Sequence, residues 1–160
     1  MANIIKEGSA EIYGKVPKTV SKQMDVFYNP VMKFNRDISI ILLNSLPKKD
    51  MKICLPLAGS GIRGIRFVKE LNNGKVKDIV LNDLNSVEAI RANLKLNNIK
   101  NVRTQNKEAN LFLIGETGFD YIDIDPFGSP NPFLDTAIKK MSRHGILALT
   151  ATDTAPRSEE

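Results

Sequence analysis

The stretch DIDPFGSP, residues 123–130, carries residue types that could do chemistry where a predicted strand ends. The apolar run before Asp125 is typical of a buried strand, and Pro126 should stop it because proline has no backbone N–H. The Asp125 carboxylate and the Pro126 carbonyl both accept hydrogen bonds, and the rigid proline backbone would aim its carbonyl inward. Phe127 would add a flat ring for stacking. The segment therefore predicts a place that can hold a planar ring bearing an amine.

A glycine pattern lies earlier in the chain, between another predicted strand and a helix. Gly59, Gly61 and Gly64 form G-x-G-x-x-G within GSGIRGIRF, residues 59–67. Glycines in this setting let the backbone turn sharply and approach a cofactor closely. Tight packing between strand and helix, with nothing bound, is the alternative explanation.

Two acidic residues follow the next two predicted strands. Asp83 lies about twenty residues beyond the glycines, where a carboxylate can accept hydrogen bonds from ribose hydroxyls, although an acid stabilised by a helix N-terminus is a rival explanation. Glu108 and Ala109 follow the third strand, where the acid could accept from the adenine amine and the Ala109 N–H could donate to the ring. Alone, Glu108 reads as a solvated loop acid, but together these residues outline a nucleoside pocket that would suit NAD or S-adenosylmethionine.

The elements that must position these residues alternate between strands and helices. Such alternation favours an α/β fold with a mostly parallel sheet and helices on both faces, in the strand order 3-2-1-4-5. Residues 1–34 form a predicted N-terminal arm of hairpin and loop, and residues 35–160 form the domain. The five strands are predicted at MKICLPLA, KDIVLND, VRTQNKE, FDYIDID and GILALTAT.

Three helices carry detailed predictions. The first is capped by Asn35, ends at Pro47, and turns one face inward, made of Ile38, Ile41, Leu42 and Ser45. The next has a capping pair, Asn85 and Glu88, and an inward face made of Val87, Ile90 and Leu94. The last is capped by Asn131, begins at Pro132, and has an inward face made of Phe133, Leu134, Ala137, Ile138 and Met141.

The composition is that of a folded, soluble chain. Hydrophobic residues make up 42% and charged residues 26% of the 160 positions. The single Cys54 excludes an internal disulfide, and with only one histidine we predict no metal site. Neither a membrane-spanning run nor a secretory signal is present, so we expect a cytoplasmic protein. The net charge of +5 suits a polyanionic partner.

The fourth strand decides between hydride and methyl transfer. Asp125-Pro126-Phe127-Gly128 resembles the motif of S-adenosylmethionine-dependent amino methyltransferases, an acid or amide followed by proline and an aromatic residue. Alkylating a conjugated amine requires acceptors for its N–H bonds and a nitrogen held in line with the methyl group. A nicotinamide enzyme should instead show a hydride-site acid or base, and His144 reads better as a helix C-terminal residue before Gly145. Asp123 should lie on the other side of its strand, paired or solvated, and core packing is the rival explanation for Phe127.

The whole chain resembles a known family, the tRNA guanine-N2 dimethyltransferases that modify guanine 26. The matching stretches follow the family's order and are VFYNPVMKFNRD (26–37), GSGIRGIRF (59–67), LND (81–83), DIDPFGSP (123–130) and GILALTATDTAP (145–156). This resemblance implies a Rossmann-like methyltransferase fold, S-adenosylmethionine as cofactor and tRNA as partner.

The resemblance also assigns roles to individual residues. It implies that Asp125 is the catalytic acid and that Phe27 and Phe127 enclose the target guanine. It implies cofactor contacts for five residues, the arginines serving the methionine end: Arg36, Arg66, Asp83, Glu108 and Ala109.

Two features depart from the family's pattern. Members carry an acidic residue at the end of the first strand, where this chain has Leu55 and Pro56. The chain also stops at Glu160, just past the fifth strand, whereas relatives continue with further strands and a C-terminal domain. We therefore expect an incomplete methyltransferase domain with an unprotected edge strand, which binds the cofactor more readily than it methylates tRNA.

Three alternative functions stay open from the sequence. The departures favour an inactive module that binds RNA or cofactor without catalysis. The same motif after the fourth strand would also serve an adenine-N6 or protein-amine methyltransferase. A nicotinamide dehydrogenase is the third alternative.

Overall fold

A parallel sheet of five strands forms the centre of the structure. The computed structural model describes residues 3–14 and 28–151 of the chain. The strands of this sheet are β3 (Met51–Leu55), β4 (Val76–Asn82), β5 (Arg103–Gln105), β6 (Phe119–Ile124) and β7 (Met141–Leu149), and a separate hairpin precedes them with β1 (Ile4–Glu7) and β2 (Ala10–Tyr13). The sheet order is β5-β4-β3-β6-β7, with every neighbouring pair parallel. The predicted α/β class and strand order are therefore confirmed.

Within residues 3–14 and 28–151, five α-helices cover the two faces of the sheet. They are α1 (Lys33–Ser45), α2 (Ile62–Glu70), α3 (Val87–Leu96), α4 (Ala109–Ile114) and α5 (Asn131–Lys140). One buried cluster joins α1, α2 and α3 to strand residues such as Ile53 and Leu81. A second cluster joins α4 and α5 to residues such as Cys54 and Val80. Neighbouring strand residues thus point to opposite faces, which explains the unbroken apolar runs at residues 53–55 of β3 and 79–81 of β4.

The inward face predicted for α1 is wrong. Its buried residues are Arg36, Ser39, Ile40 and Leu43, whereas Ile41 is 64% exposed and Ile38 and Leu42 also face outward. The helix begins two residues before Asn35, whose side chain accepts a hydrogen bond from Arg63 rather than capping the helix. Buried polar partners for Arg36 and Ser39 set the rotation of this helix, and the hydrophobic pattern cannot show those partners.

Helix α3 has the predicted inward face but a different N-terminus. Val87, Ile90 and Leu94 are buried, as predicted. Ser86 occupies the N-cap position without a side-chain cap bond. The expected capping pair of Asn85 and Glu88 is wrong, because Asp83 accepts the backbone N–H groups of Asn85 and Ser86 instead.

The last helix and strand also differ from expectation. Asn131 is the first residue of α5 rather than its cap, and Ala137 is the only fully buried residue among the five predicted to face inward. The helix ends at Lys140, so Met141 and His144 belong to β7. His144 has a φ of 62° there and is not a helix C-terminal residue.

The N-terminal hairpin packs against the helices. The backbone N–H of Tyr13 donates to Asn93 Oδ1 at 2.8 Å, and that of Ser9 donates to Glu70 Oε1 at the same distance. Ala10 and Ile12 are fully buried. The division of the chain into an arm of residues 1–34 and a domain stays a prediction. Within residues 3–14 and 28–151, no helix has the length and apolarity needed to cross a membrane.

Candidate cofactor and methyl-transfer site

Two hollows lie side by side where the strands end at their carboxyl termini. The larger hollow, about 400 Å³, is lined by Asp83, Leu84, Asn85, Ser86, Lys107, Glu108, Ala109, Pro126, Phe127 and Phe133. The smaller hollow, about 40 Å³, is lined by Tyr28, Asn29, Arg36, Leu55, Ala58, Ser60, Ile62, Arg63 and Asp123. Leu57, Gly59 and Asp125 line both. The two hollows therefore meet beside the Asp125 carboxylate.

The glycine loop connects β3 to α2 and lies beside both hollows. Gly61 has a φ of 78°, a backbone conformation that residues other than glycine rarely adopt. A Cβ at Gly64 would lie 2.4 Å from Leu81 Cδ2, so this glycine allows α2 to pack closely on β4. Gly59 lines both hollows, whereas Gly61 and Gly64 line neither. Each of the two explanations of the motif therefore applies to part of it. Gly59 lines the candidate site, and Gly61 and Gly64 allow α2 to pack closely on its neighbours.

Asp83 lies at the edge of the larger hollow as predicted, with its carboxylate already bound to the backbone. Oδ2 accepts from Gly59 N at 2.9 Å, and Oδ1 accepts from Asn85 N at 3.0 Å and Ser86 N at 2.9 Å. These bonds fix the glycine loop against the end of β4. A carboxylate has about four acceptor positions, so Asp83 can still accept from a ligand hydroxyl.

Glu108 and Ala109 lie together on the opposite wall of the larger hollow. Glu108 is the N-cap of α4, and its Oε2 accepts from Leu111 N at 2.9 Å. Ala109 begins the helix, where backbone N–H groups have no acceptor within the helix. This pair can therefore offer one carboxylate oxygen and one backbone donor to a flat ring.

Asn82 holds the walls of the larger hollow in place, and sequence reasoning missed it. Its fully buried amide donates to Pro56 O at 2.8 Å and Lys107 O at 2.9 Å, and it accepts from Lys107 N at 3.0 Å. The loops that follow β3 and β5 are thereby tied to the end of β4. The sequence did offer one signal: Asn82 is a polar residue at the end of an apolar run. If such a residue is buried, it needs hydrogen-bond partners.

Asp125 occupies the junction of the hollows, with its side chain 24% exposed. One oxygen, Oδ2, lies 3.2 Å from Arg63 Nη2. Pro126 and Phe127 continue onto the larger hollow, and Phe127 is 40% exposed, so it does not belong to the core. The three residues of the motif thus form one surface facing the same space.

Arg63 links the motif to the interior and was also missed. Its Nη1 donates to Ser39 Oγ at 2.9 Å and lies 3.2 Å from Asp123 Oδ2. Its Nη2 donates to Asn35 Oδ1 at 2.7 Å as well as to Asp125. The guanidinium is therefore fixed from several sides. Nothing in the local spacing distinguishes Arg63 from a surface arginine.

Asp123 was predicted to be either paired or solvated, and it is paired. It is 3% exposed, and its Oδ2 accepts from the Tyr121 hydroxyl at 2.8 Å. Burial raises the pKa of Asp123, and the opposing charge of Arg63 and the Tyr121 hydrogen bond only partly offset this. Burial and the charge of Asp123 raise the pKa of Tyr121 as well. Asp123 faces the smaller hollow but is held by its neighbours.

The two arginines predicted to contact the cofactor occupy different places. Arg36 lines the smaller hollow. Arg66 lines neither hollow and instead pairs with Glu7, Asp37 and Glu70. Phe27 lies outside the described residues, so its predicted contact with the base stays a prediction.

Comparison with known proteins identifies the family. Residues 8–159 match the N2,N2-dimethylguanosine tRNA methyltransferases. This chain belongs to that family. It is 48% identical over 165 residues to the tRNA (guanine(26)-N(2)/guanine(27)-N(2))-dimethyltransferase of Aquifex aeolicus. The matched region covers 97% of this chain and 42% of that protein. It is 49% identical over 164 residues to the tRNA (guanine(26)-N(2))-dimethyltransferase of Methanocaldococcus jannaschii, covering 95% of this chain and 43% of that protein.

Solved structures agree with this family membership. Trm1 from Pyrococcus horikoshii, in complex with S-adenosyl-L-methionine, superposes with a TM-score of 0.80 and 38% identity, covering 96% of this chain and 44% of that one. Trm5b from Pyrococcus abyssi gives a TM-score of 0.72 at 18% identity, which shows a shared fold. The chain thus spans less than half the length of these relatives. Their names favour none of the alternative functions that the sequence leaves open.

Proposed function

We propose that this chain binds S-adenosylmethionine and forms the part of a tRNA guanine-N2 methyltransferase that transfers the methyl group, acting on guanine 26 by mono- and dimethylation. The observation that carries the proposal is the meeting of two hollows at Asp125. One hollow has the polar groups for a nucleoside, the other has charged groups for an amino acid, and the acid of the amino-methyltransferase motif stands between them.

The larger hollow suits the adenosine half of the cofactor. Asp83 keeps acceptor positions for the ribose hydroxyls while its bonds to the glycine loop hold it still. Glu108 can accept from the adenine amine, and the N–H of Ala109 can donate to a ring nitrogen. The sides of Leu84 and Phe133 supply apolar surface for the base.

The smaller hollow suits the methionine half. Arg36 lines it and can pair with the carboxylate of the amino acid. Leu55 is buried and gives this hollow one apolar wall. Arg66 is set back from the hollow, so we assign it to holding Glu7 rather than to direct contact.

Methyl transfer at this junction needs an amine with its lone pair aimed at the methyl carbon. The cofactor supplies a methyl group activated by a positively charged sulfur. Asp125 and the Pro126 carbonyl accept the N–H bonds of guanine N2, which orients the nitrogen. As the nitrogen–carbon bond forms and the carbon–sulfur electron pair returns to sulfur, Asp125 takes the proton that the amine releases. Phe127 stacks on the base, and Phe27 is proposed to enclose it from the other side.

Transfer RNA is the proposed substrate because the named relatives act on it. The net charge of +5 and a pI of 9.3 suit a phosphate backbone. The cytoplasmic location expected from the sequence also fits this substrate.

Two measurements on the 160-residue chain test the proposal. Calorimetric titration with S-adenosylmethionine should show saturable one-site binding. Incubation with labelled cofactor and unmodified tRNA transcripts should label transcripts with guanine at position 26 but not those with adenine there, and mass spectrometry should show N2-methylguanosine and N2,N2-dimethylguanosine. Absence of saturable binding would contradict the cofactor assignment, and a different methylated base would contradict the substrate assignment.

A further inference from the structure

One buried carboxylate in the N-terminal hairpin collects four hydrogen bonds. Glu7, the last residue of β1, has a side chain that is 1% exposed. Its Oε1 accepts from Arg36 Nε at 2.7 Å and from Arg66 Nη1 at 2.9 Å. Its Oε2 accepts from Arg36 Nη2 at 2.5 Å and from the Tyr28 hydroxyl at 3.0 Å. Both oxygens are therefore fully engaged.

The main partner of Glu7 is Arg36, which belongs to the wall of the smaller hollow. The two side chains form a parallel, two-bond contact that fixes the plane of the guanidinium. Arg36 also donates from Nη2 to Asn29 O at 3.0 Å, and its charge lies 5.4 Å from the centre of the Tyr28 ring. The orientation of Arg36 thus depends on residues from the hairpin and from the segment before α1.

A carboxylate this deeply buried is kept charged only by its partners. Burial alone would raise the pKa of Glu7, but the hydrogen bonds and charge of Arg36, with Tyr28 and Arg66, outweigh burial and lower it. An arginine side chain loses rotamer entropy when it is held in one conformation. Glu7 orders the Arg36 side chain when the chain folds. A ligand that binds Arg36 therefore does not lose affinity through the entropy cost of ordering it.

We propose that Glu7 is a positioning residue for the cofactor: it holds the Arg36 guanidinium in the orientation that receives the carboxylate of the methionine end. This inference rests on the proposed function, because it concerns the same smaller hollow. It makes the N-terminal hairpin a working part of the cofactor site, although Glu7 itself lines neither hollow.

The direct test is Glu7→Gln, measured by calorimetric titration with S-adenosylmethionine. Each Glu7 oxygen accepts from an N–H group of Arg36, so the glutamine NH2 group would face an Arg36 donor in either orientation, and Arg36 must move. We expect the Kd for S-adenosylmethionine to rise about tenfold. An unchanged or lower Kd would overturn the proposal, since Glu7 would then be structural or would compete with the ligand for Arg36.

Glu70→Gln is the matched control. Glu70 also anchors the hairpin, through Ser9, and also pairs with Arg66, but Arg36 is not among its partners. The same chemical change at this position should leave the Kd within about twofold of the unsubstituted chain. An equal loss in both variants would overturn the proposal, because the effect would then come from loosening the hairpin.

A second readout works without any cofactor. Nitrogen-15 relaxation of the Arg36 Nε–H group should show a rigid side chain in the unsubstituted chain and in Glu70→Gln, and a mobile one in Glu7→Gln. A chain with a rigid Arg36 and no cofactor binding would contradict the proposed function alone. If Glu7→Gln does not fold, Tyr28→Phe removes one bond to Glu7 and keeps all charges, and it should raise the Kd two- to threefold. No change in that variant would count against the proposal.

Discussion

The two hollows are built in different ways. In the larger hollow, the acidic residues bond to backbone N–H groups, some close in sequence, as Asp83 to Ser86 and Glu108 to Leu111, and one distant, from Gly59 to Asp83 across 24 residues. In the smaller hollow, charged side chains bond to one another across long distances in the chain, as Arg36 does to Glu7, 29 residues away, and Arg63 to Asp125, 62 residues away. Bonds from carboxylates to the backbone shape one half of the site, and ion pairs between side chains shape the other.

This difference has an energetic consequence. Backbone N–H groups at the end of a strand or the start of a helix have fixed positions, so single carboxylates can serve them independently. The ion pairs of the smaller hollow share partners, because Arg63 contacts both Asp123 and Asp125. Residues that share partners do not contribute additively. We therefore expect separable effects from substitutions in the larger hollow and coupled effects in the smaller one.

The largest effect should come from the residue common to both hollows. Asp125→Ala should lower methyl transfer to tRNA by about 100-fold or more, because it removes the acceptor for the amine proton, and should leave the Kd for S-adenosylmethionine nearly unchanged. Single-turnover transfer and calorimetric titration measure the two quantities. Asp135→Ala, an exposed carboxylate on α5, should behave like the unsubstituted chain.

Asp83→Ala should show the reverse pattern. Losing the ribose acceptor and three backbone bonds should raise the Kd for S-adenosylmethionine about 10- to 100-fold, while transfer at saturating cofactor changes much less. Asp78→Ala, in the strand that Asp83 follows but paired with Arg103 on the surface, is the control and should bind normally. If Asp83→Ala and Asp125→Ala weakened cofactor binding alike, the separation of the two halves would be wrong.

A smaller effect should follow from removing the Asn82 hydrogen bonds that hold the loops around the larger hollow. Asn82→Ala leaves Pro56 O and both backbone groups of Lys107 without their buried partner, so the free energy of unfolding should fall by about 2 kcal/mol. Urea denaturation measures this change. Asn101→Ala, at an exposed position, should stay within about 0.5 kcal/mol. A similar result for both would show that Asn82 does not hold the loops.

The smallest predicted effect is a loss of stability at low pH. Because the pKa of Glu7 is lowered in the folded chain, its stabilising contribution is present above its usual value of about 4.5 and is lost as the pH falls through the folded value. The urea midpoint should therefore fall as the pH is lowered below about 4.5, and it should fall less in Glu7→Gln. Asp37 and Asp120, whose pKa values are also lowered, keep part of the slope in the variant. Equal slopes would show that the network does not depend on the Glu7 charge.

The same contrast explains what the sequence could predict. Asp83, Glu108 and the Asp125 motif follow predicted strands, and parallel strands bring their carboxyl ends together whatever the details of packing. Their grouping was therefore predictable. Glu7 and Arg63 act through partners far away in the chain, which no local pattern reveals.

Helix α1 shows how the same limit affected the fold. Its apolar residues Ile38 and Ile41 suggested one inward face, but burying Arg36 and Ser39 against charged partners required another. Hydrophobic periodicity cannot anticipate a helix that turns polar residues inward. The prediction succeeded for α3, where Val87, Ile90 and Leu94 are buried and Asn93 is the one buried polar residue.

The most direct test of the central claim is a crystal structure of this chain with S-adenosylmethionine bound. We predict adenosine in the larger hollow between Asp83 and Glu108, the methionine carboxylate at Arg36 in the smaller hollow, and the methyl group beside the Asp125 carboxylate. A cofactor bound elsewhere, or a methyl group turned away from the Asp125 carboxylate, would contradict the claim that these two hollows form a single methyl-transfer site.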